Sequence, residues 1–160
     1  YDRVEEINEV LDELLLIGVK ATNIFLSGHS AGGWSSLMSM NMVGEKFNAG
    51  ILFAPACCGP RSEILVYPSW RKRIRPAYIK NMTNVERIEA LIFSYKDDPY
   101  NRPRDLLFLT NKYPSSIELI GYSCENGDLT HIKDCKLENT KKKIWEYIQY
   151  RSKYNIDNNN

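Results

Sequence analysis

Residues 23–34 read NIFLSGHSAGGW, and the reading of the whole chain turns on them. The apolar run at 23–27 is expected to be a strand, GHSAGG at 28–33 breaks it sharply, and a helix is expected over 31–42. Gly28, His29, Ser30, Ala31 and Gly32 therefore spell G-x-S-x-G in the setting that gives the string its meaning, after a strand and before a helix. A strand that turns abruptly into a helix holds its central residue in a strained conformation, so that the Ser30 hydroxyl projects from the sheet. Gly28 and Gly32 are expected to flank it because side chains there would collide with the neighbouring strand and helix. The helix N-terminus adds a positive dipole end, and the Ala31 backbone N–H is expected to point where an oxyanion would form. At background glycine and serine usage the string arises by chance in roughly one chain of this length in twenty, so the flanking elements carry the weight. The competing use of such a turn, cradling a phosphate, would bring a Lys into the loop or a G-x-G-x-x-G spacing, and neither is present.

Outward from this turn, residues 4–15 place Val4, Ile7, Val10, Leu11, Leu14 and Leu15 at helical spacing opposite a charged side, with closure near Gly18. Apolar runs at 49–54 (AGILFA), 89–95 (EALIFSY) and 117–122 (IELIGY) read as three further strands. Residues 101–111 and 139–150 read as helices, the last with Ile144, Trp145 and Ile148 as its apolar side. The stretch 59–84 carries Pro60, Pro68 and Pro76 and the basic residues Arg71, Lys72, Arg73 and Arg75; it is too long for a bare connection and is expected to hold one or two short helices. Its basic cluster reads as a solvated face in preference to a receiver for an anionic substrate group, and Tyr67, Trp70 and Tyr78 as aromatics holding the segment to the core. Alternating helices and buried strands predict an α/β fold, a parallel sheet of about four strands with helices on both faces. In such sheets function collects beyond the carboxyl ends of the strands.

A serine hydroxyl is a poor nucleophile at neutral pH unless a base takes its proton. The chain has two histidines. His29 adjoins Ser30 with its ring directed away from the hydroxyl, where it is expected to pack at the turn. His131 ends the polar loop 123–131 (SCENGDLTH) after the fourth strand and is the better base. The imidazole needs a carboxylate to fix its tautomer. Asp97 and Asp98 follow the third strand in 95–103 (YKDDPYNRP); Asp98, directly before Pro99, is preferred, with Asp97 as the alternative and helix capping as the competing role for both. Asp128 and Asp134 lie too near His131 in sequence to be the usual partner.

The order Ser30, Asp98, His131, each beyond a successive strand, resembles the α/β-hydrolase superfamily, whose triads run Ser, Asp or Glu, His. Its flavour is nearest the esterase, dienelactone-hydrolase-like and prolyl-peptidase-like branches. The resemblance starts at the helix before the nucleophile strand, so this chain matches the last four strands, and the family's first four, with the loop that donates the second oxyanion N–H, have no counterpart. It implies a serine hydrolase, a serine esterase or carboxylesterase in kind, that cleaves an ester, thioester or amide through an acyl-enzyme at Ser30. Asp98 and His131 would complete the triad, Ala31 would be an oxyanion donor, and no metal or cofactor is required. Acyl transfer would use the same residues. The other class of function is a non-catalytic, truncated hydrolase-fold module acting in protein–protein association. The segment 59–84 stands where the family inserts a cap. The strand at 23–27 becomes an apolar sheet edge, to be covered by a missing N-terminal part or by a second chain, as in a homodimer.

Composition sets the outer bounds. Of 160 residues, 43% are hydrophobic and 26% charged, with 21 basic against 20 acidic side chains; this is a globular chain, not a disordered one. The near balance argues against nucleic acid or an anionic membrane as partner; a small-molecule or peptide acyl substrate is what the resemblance implies. No apolar run approaches the ~20 residues that cross a bilayer, and Tyr1, Asp2, Arg3 do not open a signal peptide. A single, truncated α/β-hydrolase domain is expected over 1–156, with a disordered tail at 157–160 and a segment upstream of Tyr1. The compartment is open, with a soluble cytoplasmic protein the first expectation. The four cysteines form no metal-ligand spacing. Cys57 and Cys58 read as small buried thiols, and Cys124 and Cys135, flanking the histidine loop, as free thiols unless the protein is exported.

Overall fold

Short apolar runs that alternate with helices pair in parallel and are covered on both faces when each connection crosses back through a helix. The computed structural model has that arrangement; it describes residues 2–61, 70–124, 131–132 and 134–157. In chain order the elements are α1 (Asp2–Leu16), β1 (Phe25–His29), α2 (Ala31–Val43), β2 (Ala49–Phe53), α3 (Trp70–Met82), β3 (Ala90–Tyr95), α4 (Leu107–Lys112), β4 (Ile117–Tyr122) and α5 (Leu137–Asp157). The strands form a four-stranded sheet in the order β1-β2-β3-β4, every pair parallel.

Successive strand residues point to opposite faces, and each face has its own core. Leu52, Ala90 and Ile92 join Val4 and Leu11 of α1, Trp34 and Leu37 of α2, Met82 of α3 and Leu109 of α4 on one side. Ala49, Ile51, Leu91 and Phe93 meet Ile144, Tyr147 and Ile148 of α5 on the other.

Several boundaries differ from expectation. The first strand is displaced two residues, because Ala21–Asn23 forms a 3-10 turn in which Asn23 N donates to Lys20 O and Ile24 N to Ala21 O. Its far end reaches His29 because pairing with β2 continues to Phe53. Within α5 the inward residues are Ile144, Tyr147 and Ile148, while Trp145 is 63% exposed; Trp145 lies 100° round the helix from Ile144, off the face that 144, 147 and 148 share. Asp157, expected in the tail, still belongs to α5; residues 158–160 lie outside the described residues. In the long connection, one helix of 13 residues packs on the core through Tyr78, Ile79 and Met82. Tyr67, Pro68 and the Trp70 side chain lie outside what is described.

The cysteines are the largest departure. Cys57 is bridged to Cys58 and Cys124 to Cys135, so the free thiols expected from sequence are not found. Spacing along the chain hides this: Cys124 and Cys135 are 11 residues apart but their Cα atoms lie within 5.8 Å, because the end of β4 and the start of α5 come together. Among the described residues, no helix is long and apolar enough to cross a membrane.

Candidate active site

Ser30 lies between β1 and α2 at φ 54°, ψ −120°, a region L-residues avoid at a cost of about 1–3 kcal/mol. The surroundings over-determine it. Its N–H donates to Phe53 O at 2.9 Å, and its carbonyl accepts from Trp34 N at 3.0 Å and Ala56 N at 2.9 Å. Gly28 is required for space: a Cβ there would lie 2.5 Å from Gly32 C and 2.6 Å from Gly33 N. The second crowded glycine is Gly33, whose Cβ would stand 2.9 Å from Gly28 O and 3.2 Å from Pro55 Cβ, whereas Gly32, expected to be tight, has open space. The helix approaches the strand through its third residue, a register that the five-residue string does not encode.

His131 brings the polar groups together. Its Nε2 lies 2.7 Å from Ser30 Oγ, and its Nδ1 2.8 Å from Asp98 Oδ2. Asp98 is fully buried and His131 is 9% exposed. The second oxygen of Asp98 accepts from Tyr100 N at 2.6 Å and Asn101 N at 3.1 Å, so Asp98 caps its own turn while it holds the imidazole. Asp97 is exposed. Asp134 turns elsewhere, to Lys136 N and the Tyr95 hydroxyl; burial first, and then the Asp134 charge, push that hydroxyl above its usual range. Asp128 lies outside the described residues.

Four contributors were not read from the sequence. The Tyr100 ring covers the His131 ring at 4.4 Å between centroids. His29, with its ring centroid 5.1 Å from that of His131, places Nε2 against the His131 carbonyl oxygen. Asn101, fully buried, donates from Nδ2 to Pro55 O at 2.8 Å, tying the acid turn to the loop after β2, where Ala56 N holds the Ser30 carbonyl. The basic cluster is the fourth. Arg71 donates to Asn101 Oδ1 at 2.8 Å and to Gly59 O at 3.3 Å, Arg61 to Asp98 O at 3.1 Å, and Arg75 to Asp105 O at 2.5 Å. Arg75 also lies over the Trp34 and Phe108 rings, and burial, then the Arg71 charge, push its guanidinium below its usual value. Lys72 and Arg73 are exposed, but Arg71 and Arg75 are half-buried, Arg71 bonded to the acid turn at Asn101 and Arg75 to Asp105 just after it, so the expected solvated face is only half of the cluster. A Pro-rich connection gives no signal of such inward turning.

A cavity of about 460 Å³ opens beside Ala31, the first residue of α2, with Trp34, Met38, Ala56, Ile74 and Tyr78 among its walls and Cys57 and Cys58 at its side. Among the described residues no group of His, Cys, Asp and Glu is arranged to hold a metal ion.

No protein-family model and no curated protein matches the sequence. Solved structures match in fold. SOBER1 of Arabidopsis thaliana superposes with a TM-score of 0.62 at 19% identity, over 94% of this chain and 63% of that one. Monoacylglycerol lipase from Paleococcus ferrophilus gives 0.63 at 14% identity, over 92% and 74%. A thermophilic esterase from the Planctomycetes species Thermogutta terrifontis gives 0.58 at 18% identity, over 91% and 61%. The fold is that of the α/β-hydrolases. This chain covers less than two thirds of the length of SOBER1 and of the esterase, and within the α/β-hydrolase fold its β1 is an edge strand, paired on one side by β2.

Proposed function

We propose that this chain carries the catalytic residues of a serine hydrolase acting on an ester, thioester or amide. The observation that carries the reading is the pair of hydrogen bonds on the two His131 nitrogens, one to Ser30 Oγ and one to a buried carboxylate. With Asp98 accepting from Nδ1–H, the Nε2 lone pair faces the hydroxyl and takes its proton as Oγ attacks the acyl carbon. The proton on Nε2 then passes to the leaving alcohol, thiol or amine, and an acyl group stays on Ser30. Water attacks that ester with Nε2 again as base, releasing acid and free Ser30. The developing oxyanion falls to the Ala31 N–H at the α2 N-terminus. The cavity beside Ala31, with Trp34, Met38 and Ile74 as apolar walls and Asp2 and Arg3 also on its lining, would take the acyl group of a small-molecule or peptide substrate, with α3, from the cap-like segment, forming one wall. Neighbours described as an esterase, a monoacylglycerol lipase and a puromycin hydrolase fit acyl chemistry on this fold. The two disulfides fit an oxidising compartment better than the cytoplasm.

A second reading, a non-catalytic module acting in association, is favoured by the half-paired β1. A fluorophosphonate probe separates the two. Labelling that disappears in Ser30→Ala and falls strongly in His131→Ala is the expected result; a folded chain that never labels sinks the enzyme reading.

A further inference from the structure

The proposed base lies in sequence between two cysteines that are bridged to each other. β4 ends at Tyr122, whose carbonyl is fixed to β3 by Lys96 N at 2.8 Å, and α5 starts at Leu137. Cys124 follows the strand by two residues, Cys135 precedes the helix by two, and their disulfide closes the span that contains His131. Both flanks are anchored without the bridge, the strand by the sheet and the helix by its own core residues. The staple therefore acts on the span between them. The bridge holds the two cysteines at 5.8 Å between Cα atoms, and closing a chain segment at its ends narrows the positions open to a residue within it. His131 must meet Ser30 Oγ on one side and Asp98 Oδ2 on the other, a two-point fit that tolerates little play.

We infer that Cys124 and Cys135 are positioning residues: their disulfide holds His131 between Ser30 and Asp98, so that reactivity at Ser30 depends on the oxidised bridge. This rests on the hydrolase reading above. A dithiol such as dithiothreitol reverses the state by thiol–disulfide exchange: the S–S bond breaks, Cys124 and Cys135 gain two electrons and two protons as thiols, and the dithiol becomes its cyclic disulfide.

Three proteins are compared with and without dithiothreitol: wild type, Cys57→Ser/Cys58→Ser and Cys124→Ser/Cys135→Ser. Each is monitored by far-UV circular dichroism, with the thiol count checked by mass. Reduction is expected to slow fluorophosphonate labelling on the order of 10²-fold in wild type, the effect of a misplacement near 1 Å, with the dichroism unchanged. The Cys57→Ser/Cys58→Ser protein should keep its sensitivity to reductant whatever its starting rate. The Cys124→Ser/Cys135→Ser protein should be slow from the outset and indifferent to reductant. A second readout needs no activity: in Ser30→Ala, the downfield proton resonance of His131 Nδ1–H bonded to Asp98 should be present when oxidised and lost on reduction. Equal labelling with the bridge open, or a retained resonance, overturns the inference. Loss of the dichroism signal on reduction also overturns it, since the bridge would then hold the fold and not the base. If oxidised wild type never labels, the hydrolase reading fails, and the resonance still decides whether the bridge positions His131.

Discussion

Asp98 gives one oxygen to His131 and the other to the backbone of its own turn. Capping the turn and bonding the imidazole, competing roles when read from sequence, coexist in the structure, because a carboxylate has lone pairs enough for both. Asp98→Asn should keep the turn and present an amide to Nδ1, favouring the wrong tautomer; labelling or hydrolysis should fall by roughly 10⁴-fold. Asp97→Asn, on the exposed neighbour, should leave the rate within about twofold, as surface changes do. The reverse result would move the acid to Asp97. His29 is a subtler case. Its Nε2 reaches the carbonyl of the proposed base. That contact was illegible because it joins residues 102 apart in sequence, and no spacing rule spans a fold. A backbone hydrogen bond of about 1 kcal/mol sets the scale: His29→Ala should lower the acylation rate about fivefold, and His29→Gln, which retains a donor, should recover much of it. Equal rates in the two variants would count against a donor role for His29.

The strands were readable as elements because each is a short apolar run ended by a polar or glycine-rich stretch, and the parallel sheet covered on both faces follows from their alternation with helices. Their registers were not. The 3-10 turn at Ala21–Asn23 uses up residues that propensity assigns to β1, and the close approach of α2 to β1 is made by Gly33 where Gly32 was expected. Such details depend on how two elements pack, which the string of either alone does not contain. For β1 the consequence is an exposed ladder. Among the described residues it pairs with β2 alone, and Ser27 and His29 along it are exposed. Unpaired strand edges template further pairing, so the 160-residue chain is expected to self-associate through β1. Sedimentation at rising concentration should detect the larger species, and Ser27→Lys, which adds a charge to the edge, should shift the population towards monomer. A chain that stays monomeric with rapid amide exchange in Phe25–His29 would exclude this association.

Across the whole molecule, the proposed site and the anchorage of α5 sit at opposite ends of the sheet. Ser30, Asp98 and His131 gather beyond the carboxyl ends of the strands, while at the amino ends Arg151 of α5 reaches Glu89 Oε2 at 2.9 Å and Asn48 Oδ1 at 3.0 Å. The Arg151 and Glu89 side chains are only 8% and 14% exposed, so this pair ties α5 to the sheet from within. Arg151→Met should therefore destabilise the fold by about 3–5 kcal/mol, chiefly through the carboxylate it leaves buried. Arg87 also faces Glu89, which places the expectation at the lower end of that range. Adding Glu89→Gln should restore a good part of the loss, because the stranded charge goes with it. Denaturant titration of the two variants measures both effects, and a single-variant cost under about 1 kcal/mol would class the pair with ordinary surface bridges. Labelling at Ser30, read well below the melting temperature, should be the same in both, because the His131 loop is closed by its own disulfide before α5 begins. A loss of labelling in step with stability would mean instead that the base is positioned through the full length of α5, from the far end of the sheet.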